Sequence, residues 1–150
     1  MNPIFAAALE VQAFCQARAF GFCFLSAFSP RIPDARAFAL RHRVLLLLGR
    51  DGIPLDVALG AMPFEERAVR RSSPFFVAEG VSLLTCSAED LIVFKAFAGR
   101  AQDWIDIDGI TLRQHGRLDE RLIWQELMRL LELKEDDKSG PRLRRLLAHQ

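Results

Sequence analysis

Hydrophobic and polar positions divide the chain into alternating blocks. Residues 3–18 carry Phe5, Leu9, Gln12 and Ala13 on one stripe of a helix. The run Phe22-Cys23-Phe24-Leu25 reads as a short buried strand, and residues 26–34, with Pro30 and Pro33, as a loop. Residues 35–42 fit either helix or strand. Residues 43–48 and 53–59 are apolar runs joined by Arg50-Asp51-Gly52, a turn typical of hairpins. Alternation points Leu55, Val57 and Leu59 one way and Asp56 and Ala58 the other, which places Asp56 on a strand. Pro63 opens a helix that ends near Arg71, with Pro74 blocking its continuation. Residues 81–85 form a further strand in or beside the same sheet.

The stretch from Ser87 to Asp108 organises the rest. Ser87 caps a helix, with Asp90 as an acidic variant of the capping-box partner and Glu89 favourably placed in the first turn. Leu91 to Phe94 and Ala96 to Ala98 are apolar all round, the mark of a helix buried on most sides, and Gly99 ends it. Lys95 breaks the apolar run and needs a partner for its charge. A helix over 102–112 shows Trp104, Ile107 and Thr111 on one face. Asp119 caps another, to about residue 134, with Ile123, Leu127, Leu130 and Leu131 as its stripe. After a charged linker at 135–140, Pro141 begins a last helix with Leu143, Leu146 and Leu147 inward and Arg142, Arg144 and Arg145 outward.

Composition narrows the class. At 150 residues, 51% hydrophobic and 26% charged, the chain is an ordinary globular domain with its own core. A net charge of +1 gives no global pull toward nucleic acid or membrane. Cys15, Cys23 and Cys86 lack metal-ligand spacing and read as reduced thiols, which places the chain in the cytoplasm. No apolar run approaches the roughly 20 residues of a membrane span. His42, His115 and His149 are scattered, and no nucleophile–base or zinc arrangement can be assembled.

The segments Ser-Ala-Glu-Asp-Leu-Ile-Val-Phe-Lys (87–95), Ala-Gly-Arg (98–100) and Asp-Trp-Ile-Asp-Ile (103–107) resemble the C-terminal signature of nucleotidyltransferase-fold proteins of the AbiEii abortive-infection toxin type. Gly52-Ile53-Pro54-Leu55-Asp56-Val57 and Pro63-Phe64-Glu65-Glu66-Arg67-Ala68 resemble the same family, so the likeness runs from about Arg31 to Thr111. It implies a truncated nucleotidyltransferase fold of α+β class. Its small mixed sheet would have three or four strands with helices packed on it. Residues 1–116 would form the core and 117–150 a C-terminal helical extension.

The implied reaction moves a nucleoside monophosphate from a nucleoside triphosphate (NTP) to an RNA or protein acceptor, with Mg²⁺ held by three carboxylates. Two of these come as Asp-x-Asp on a strand after a Gly-Gly or Gly-Ser turn, and a neighbouring strand supplies the third. The resemblance gives Asp56 that third, catalytic and metal-binding position; the alternative is a strand aspartate facing solvent or paired with Arg43 or Arg50. It places Lys95 on the nucleotide phosphates and Arg100 on a phosphate or on the acceptor. Their alternatives are a lysine snorkelling to Asp103 or another acid, and a cation favoured at a helix C-terminus.

The remaining parts are missing. No glycine lies between Gly21 and Gly49, and Asp34 is the only carboxylate between Glu10 and Asp51. A helix, a strand and two loops need on the order of 25–30 residues, more than the interval between Leu25 and Arg43 provides. Asp106-Ile107-Asp108 is a false match, because helical geometry sends its two carboxylates apart. An impaired nucleotidyltransferase is therefore the expected function. The alternatives are an active one with remodelled or trans-supplied ligands, and a non-enzymatic interaction module.

Loss of a helix and strand uncovers Phe22, Phe24, Phe28 and Leu45 to Leu48, which predicts self-association or an antitoxin partner. Transfer RNA is the implied acceptor. Arg67, Arg70 and Arg71, and separately Arg142, Arg144 and Arg145, form basic edges that attract RNA phosphates or serve as solvated helix faces. No membrane partner and no DNA specificity is expected.

Overall fold

The computed structural model describes residues 28–148, and the strand expected at Phe22 to Leu25 and the helix expected at 3–18 lie outside them. The described residues form an α+β fold of six helices and two small antiparallel sheets. The chain divides into two compact units, one ending at Pro63 and the other beginning at Phe64.

The first unit contains β1 (Phe28–Pro30), α1 (Ala35–His42), β2 (Val44–Gly49) and β3 (Pro54–Ala58). The three strands pair in the order β1-β2-β3, each antiparallel to its neighbour. The expected hairpin is present: Gly52 takes φ +79° at its turn and its N–H bonds Gly49 O, while Asp51 Oδ1 accepts from Ile53 N. A left-handed backbone at that point favours glycine. Phe28 to Pro30, expected as loop, instead forms a short edge strand; at its end Pro30 leaves no ladder donor to satisfy. Residues 35–42 resolve as helix, with Ala35 and Ala39 buried where α1 packs on β2.

Arg43 follows α1 at φ 55°, unusual for a residue with a Cβ. Its side chain anchors the conformation. Nε donates to Leu59 O at 3.0 Å, and Nη2 donates to Gly60 O, tying the helix end to the chain leaving β3.

The second unit contains α2 (Pro63–Arg71, from Phe64 onward), β4 (Ser73–Ala78), β5 (Val81–Thr85), α3 (Ala88–Ala98), α4 (Ala101–Arg113), α5 (Glu120–Lys134) and α6 (Ser139–Leu147). The strand at 81–85 was expected in or beside one mixed sheet. It pairs instead with β4, a strand not anticipated, in a separate two-stranded ribbon. The described strands thus make two antiparallel sheets. Helix α3 was expected to lie on a sheet, but within this unit its main neighbours are α5, α4 and α6. Ile92, Val93, Ala96, Ile107, Ile123, Leu127 and Leu143 form the centre of this helical core, all at or near zero exposure. Helices α5 and α6, read as an extension, belong to the same packed unit as α3.

The start of α3 shows why sequence specifies it so well. Ser87 Oγ accepts from Asp90 N at 3.1 Å, capping one of the donors that a helix start leaves unpaired. Gly99 closes the helix at φ 70°, its N–H bonded to Lys95 O. The reciprocal arm of the expected capping box is not the main use of Asp90, whose carboxylate receives Arg71 and the Ser87 hydroxyl. Ser87→Ala is expected to lower stability by about 1 kcal/mol, measured as a shift in urea midpoint with unchanged slope. No helix among the described residues is long and apolar enough to cross a membrane.

Candidate functional site

Asp56 lies where strand alternation put it. In β3, Leu55 and Val57 are half-buried while Asp56 is exposed. Sheet register then fixes its neighbours. Leu46 lies directly opposite Asp56, and Arg31, one residue past β1, donates its N–H to Leu46 O. Arg31, Leu46 and Asp56 therefore form a row across three strands, spaced about 4.8 Å per strand. The long arginine spans Leu46, and its Nη2 comes within 2.8 Å of Asp56 Oδ1. The alternative partners read from sequence, Arg43 and Arg50, are not the ones used, and Arg43 has committed its donors to carbonyl groups.

This pair is open to water, with 32% of the Arg31 side chain and 59% of that of Asp56 exposed. Such a pair contributes little to stability, but the carboxylate faces a guanidinium rather than a second acid. Magnesium takes near-octahedral oxygen coordination, normally including one or two carboxylates with bound phosphates and waters. Among the described residues no group of three or more His, Cys, Asp or Glu side chains could hold a metal ion. Asp56 with a guanidinium against it does not fit a two-metal clamp.

Lys95 and Arg100 belong to a second constellation, at the junction of α3 and α4. Lys95 projects from α3 near its C-terminal end, and its Nζ lies 2.5 Å from Asp106 Oδ2 and 3.8 Å from Asp103 Oδ1. Spacing explains the meeting, since Asp103 and Asp106 stand three residues apart on one face of α4. Gln102 Nε2 holds the other Asp106 oxygen at 3.0 Å. Hydrogen bonds from Lys95 and Gln102 keep the Asp106 carboxyl below its usual range, against the opposing effects of partial burial and of Asp103.

Arg100 is not the C-terminal cation of α3 that one sequence reading made it. It is the N-cap residue of α4, and the Asp103 carboxylate, three residues on, reaches back to its backbone N–H. Arg100 N and Nε both donate to Asp103 Oδ2, at 3.0 and 2.8 Å, and Nη2 donates to Oδ1 at 3.1 Å. These bonds, led by the side-chain one, hold the Asp103 carboxyl low. Trp104 Nε1 donates to Gly99 O at 3.1 Å, fixing the short turn between the helices. The helix thus places one lysine and one arginine beside two ionised carboxylates. Asp108, the far half of the false Asp-x-Asp, is exposed.

A third cluster was missed in the sequence. Arg67 and Arg71, read with Arg70 as a basic edge, turn inward. Arg67 Nε and Nη2 grip Glu126, the shortest contact 2.5 Å, while Arg71 Nη1 reaches Glu126 Oε1 at 3.1 Å. Arg71 Nε and Nη2 also bind Asp90, at 3.1 and 2.6 Å. Asp90 and Glu126 are almost wholly buried; only Arg70 remains outward, beside Glu66. Hydrogen bonds from Arg67 and Arg71 outweigh burial and hold the Glu126 carboxyl low. The spacing Phe64, Arg67, Ala68, Arg71 is a single helix stripe, which was the available signal for an inward face. No buried side-chain N or O among the described residues lacks a hydrogen-bond partner, and the cluster cross-braces α2, α3 and α5.

Cavities among the described residues lie elsewhere. One of about 550 Å³ is lined by Trp124, Met128, Pro141, Arg144 and Arg145, and one of about 460 Å³ surrounds the β2–β3 turn. None of Asp56, Lys95 and Arg100 lines either. Cys86 is a half-buried free thiol whose pKa is raised by burial and by nearby Asp90, the opposite of nucleophile activation. Of the outward arginines of α6, Arg142 lies 4.5 Å from the Trp104 ring centre and Arg144 lies 5.4 Å from that of Trp124, cation–π contacts the sequence did not foretell. Neither known protein-family models nor curated protein sequences match this chain.

Proposed function

We propose that this chain is a nucleotidyltransferase-fold protein of the AbiEii abortive-infection toxin type in which nucleotide transfer is impaired. Its metal-binding carboxylates are reduced to Asp56. The observation that supports the reading is the Arg31–Asp56 pair: a strand carboxylate facing a guanidinium at 2.8 Å rather than companion acids. Phosphoryl chemistry of this type draws its rate from positioned divalent ions and preorganised charge. One countered carboxylate supplies neither.

Lys95 supports the nucleotide-handling half of the reading. It is a half-buried point charge held by carboxylates rather than lost in an apolar core. Exchanging those carboxylates for triphosphate oxygens conserves its charge balance, whereas an unpaired buried lysine would not persist.

The test is incubation with labelled nucleoside triphosphates, Mg²⁺ or Mn²⁺, and bulk transfer RNA, alongside equilibrium dialysis of triphosphate. No label transfer above blank is expected, with triphosphate retained and its affinity lowered about tenfold, near 1.4 kcal/mol, by Lys95→Ala. Metal-dependent transfer that vanishes in Asp56→Ala would show a working enzyme with ligands from elsewhere. Absence of any triphosphate binding would remove the nucleotide assignment itself.

A further inference from the structure

The β4–β5 ribbon is the most exposed apolar feature among the described residues. Every residue of both strands is exposed, and Phe75, Phe76, Val77, Val81, Leu83 and Leu84 range from 50% to 78%. Phe75, Leu83 and Val81 lie on one face of the ribbon and Phe76 and Leu84 on the other, so apolar side chains stand in water on both faces. An uncovered two-stranded ribbon is itself marginal in water.

The two outer edges differ. On β4, Pro74 has no N–H to offer, and a register irregularity between Phe76 and Ala78 bends the strand. Both features blunt an edge. On β5, Val81-Ser82-Leu83-Leu84-Thr85 carries no proline, no charge and no bulge. From Ser73 to Thr85 the only charged side chain is Glu79, so nothing on the ribbon selects a partner by charge.

We propose that β5 pairs with β5 of a second copy of this chain, antiparallel about a two-fold axis at Leu83, making a four-stranded sheet. The surface is self-complementary in that register. Leu83 opposes its own counterpart, Val81 opposes Thr85, and Ser82 opposes Leu84. Since Phe75 pairs with Leu83 within the ribbon, one face gains an unbroken row Phe75–Leu83–Leu83–Phe75 across the two copies. Directly opposed residues share a face, so each β5 side chain gains a lateral neighbour it lacks alone. Two-fold pairing also closes the assembly at two copies, because the remaining β4 edges are the blunted ones.

Sedimentation velocity of the full chain from about 1 to 100 μM tests the proposal. The expected wild-type result is a dimer that forms within this range and grows no further. Leu83→Lys sets two like charges across the axis and is expected to weaken dimerisation at least tenfold, with unchanged circular dichroism since the side chain is already exposed. Ile105→Lys, at a somewhat more exposed apolar position on α4, is expected to leave the dimer intact. A wild-type chain that stays monomeric, associates without limit, or dimerises as strongly with Leu83→Lys would overturn the assignment.

Discussion

Arg71→Ala is expected to destabilise the protein by about 3 kcal/mol, whereas Arg70→Ala changes stability by less than about 0.5 kcal/mol. The two arginines are adjacent in sequence and alike in chemistry. Arg70 has 77% of its side chain in water and one long contact to Glu66 at 3.6 Å. Arg71 has 28% exposed and bridges Asp90 and Glu126, whose side chains are 1% and 2% exposed. Its removal leaves Asp90 with the Ser87 hydroxyl as remaining side-chain partner and takes one bond from Glu126. A dehydrated carboxylate that loses its cation costs about 3–5 kcal/mol. The lower end applies because the space vacated by a partly exposed arginine admits water.

Two companion variants separate charge from packing. Arg71→Met keeps most of the stem's contacts yet orphans the same carboxylate, so it is expected to lose nearly as much as Arg71→Ala. Adding Asp90→Asn to Arg71→Met removes the orphaned charge and is expected to recover part of that loss. Urea unfolding of the four variants checks all of this. Equal effects at positions 70 and 71 would mean that the network does not brace the second unit.

The same network marks the limit of what the sequence disclosed. Helix ends were legible because local chemistry makes them: Ser87 with Asp90, Gly99 in a left-handed conformation, and Asp119 accepting from Leu122 N. The face of Asp56 was legible because strand alternation has a period of two. Partners were not legible, since they come from distant sequence. Asp90 and Glu126 lie 19 and 55 residues from Arg71, and only packing of α2 against α3 and α5 unites them. Arg31 was hidden for a related reason. It lies between Pro30 and Pro33, in a stretch that reads as loop until β2 offers a partner to β1. Residues 73–78 were missed because Pro74 signals a break. A ribbon exposed on both faces also lacks the alternation that betrays a half-buried strand.

Acid should unfold this protein from pH values where carboxylates normally titrate, about 4–4.5. Glu126 is held low mainly by Arg67, Asp103 by Arg100 and Asp106 by Lys95. Asp136 is held low chiefly by the backbone N–H of Ser139, with the Ser139 hydroxyl and the Lys138 N–H adding to it. In the unfolded chain these groups regain their ordinary values. Between the ordinary and the depressed values the unfolded state therefore binds more protons, and stability falls as pH falls. Above the ordinary range both states are ionised and the contribution is fully present. The urea midpoint is accordingly expected to be flat from pH 8 to 6 and to drop steeply between about pH 4.5 and 3. Glu126→Gln discriminates among the sources. It lowers stability at pH 7, where Arg67 loses its charged partner, but it removes one titrating group from the acid limb. The gap between wild type and Glu126→Gln is therefore expected to narrow as pH falls from 5 to 3. A gap constant with pH would mean that the Glu126 carboxylate owes nothing to its arginines, and that the brace is held by packing alone.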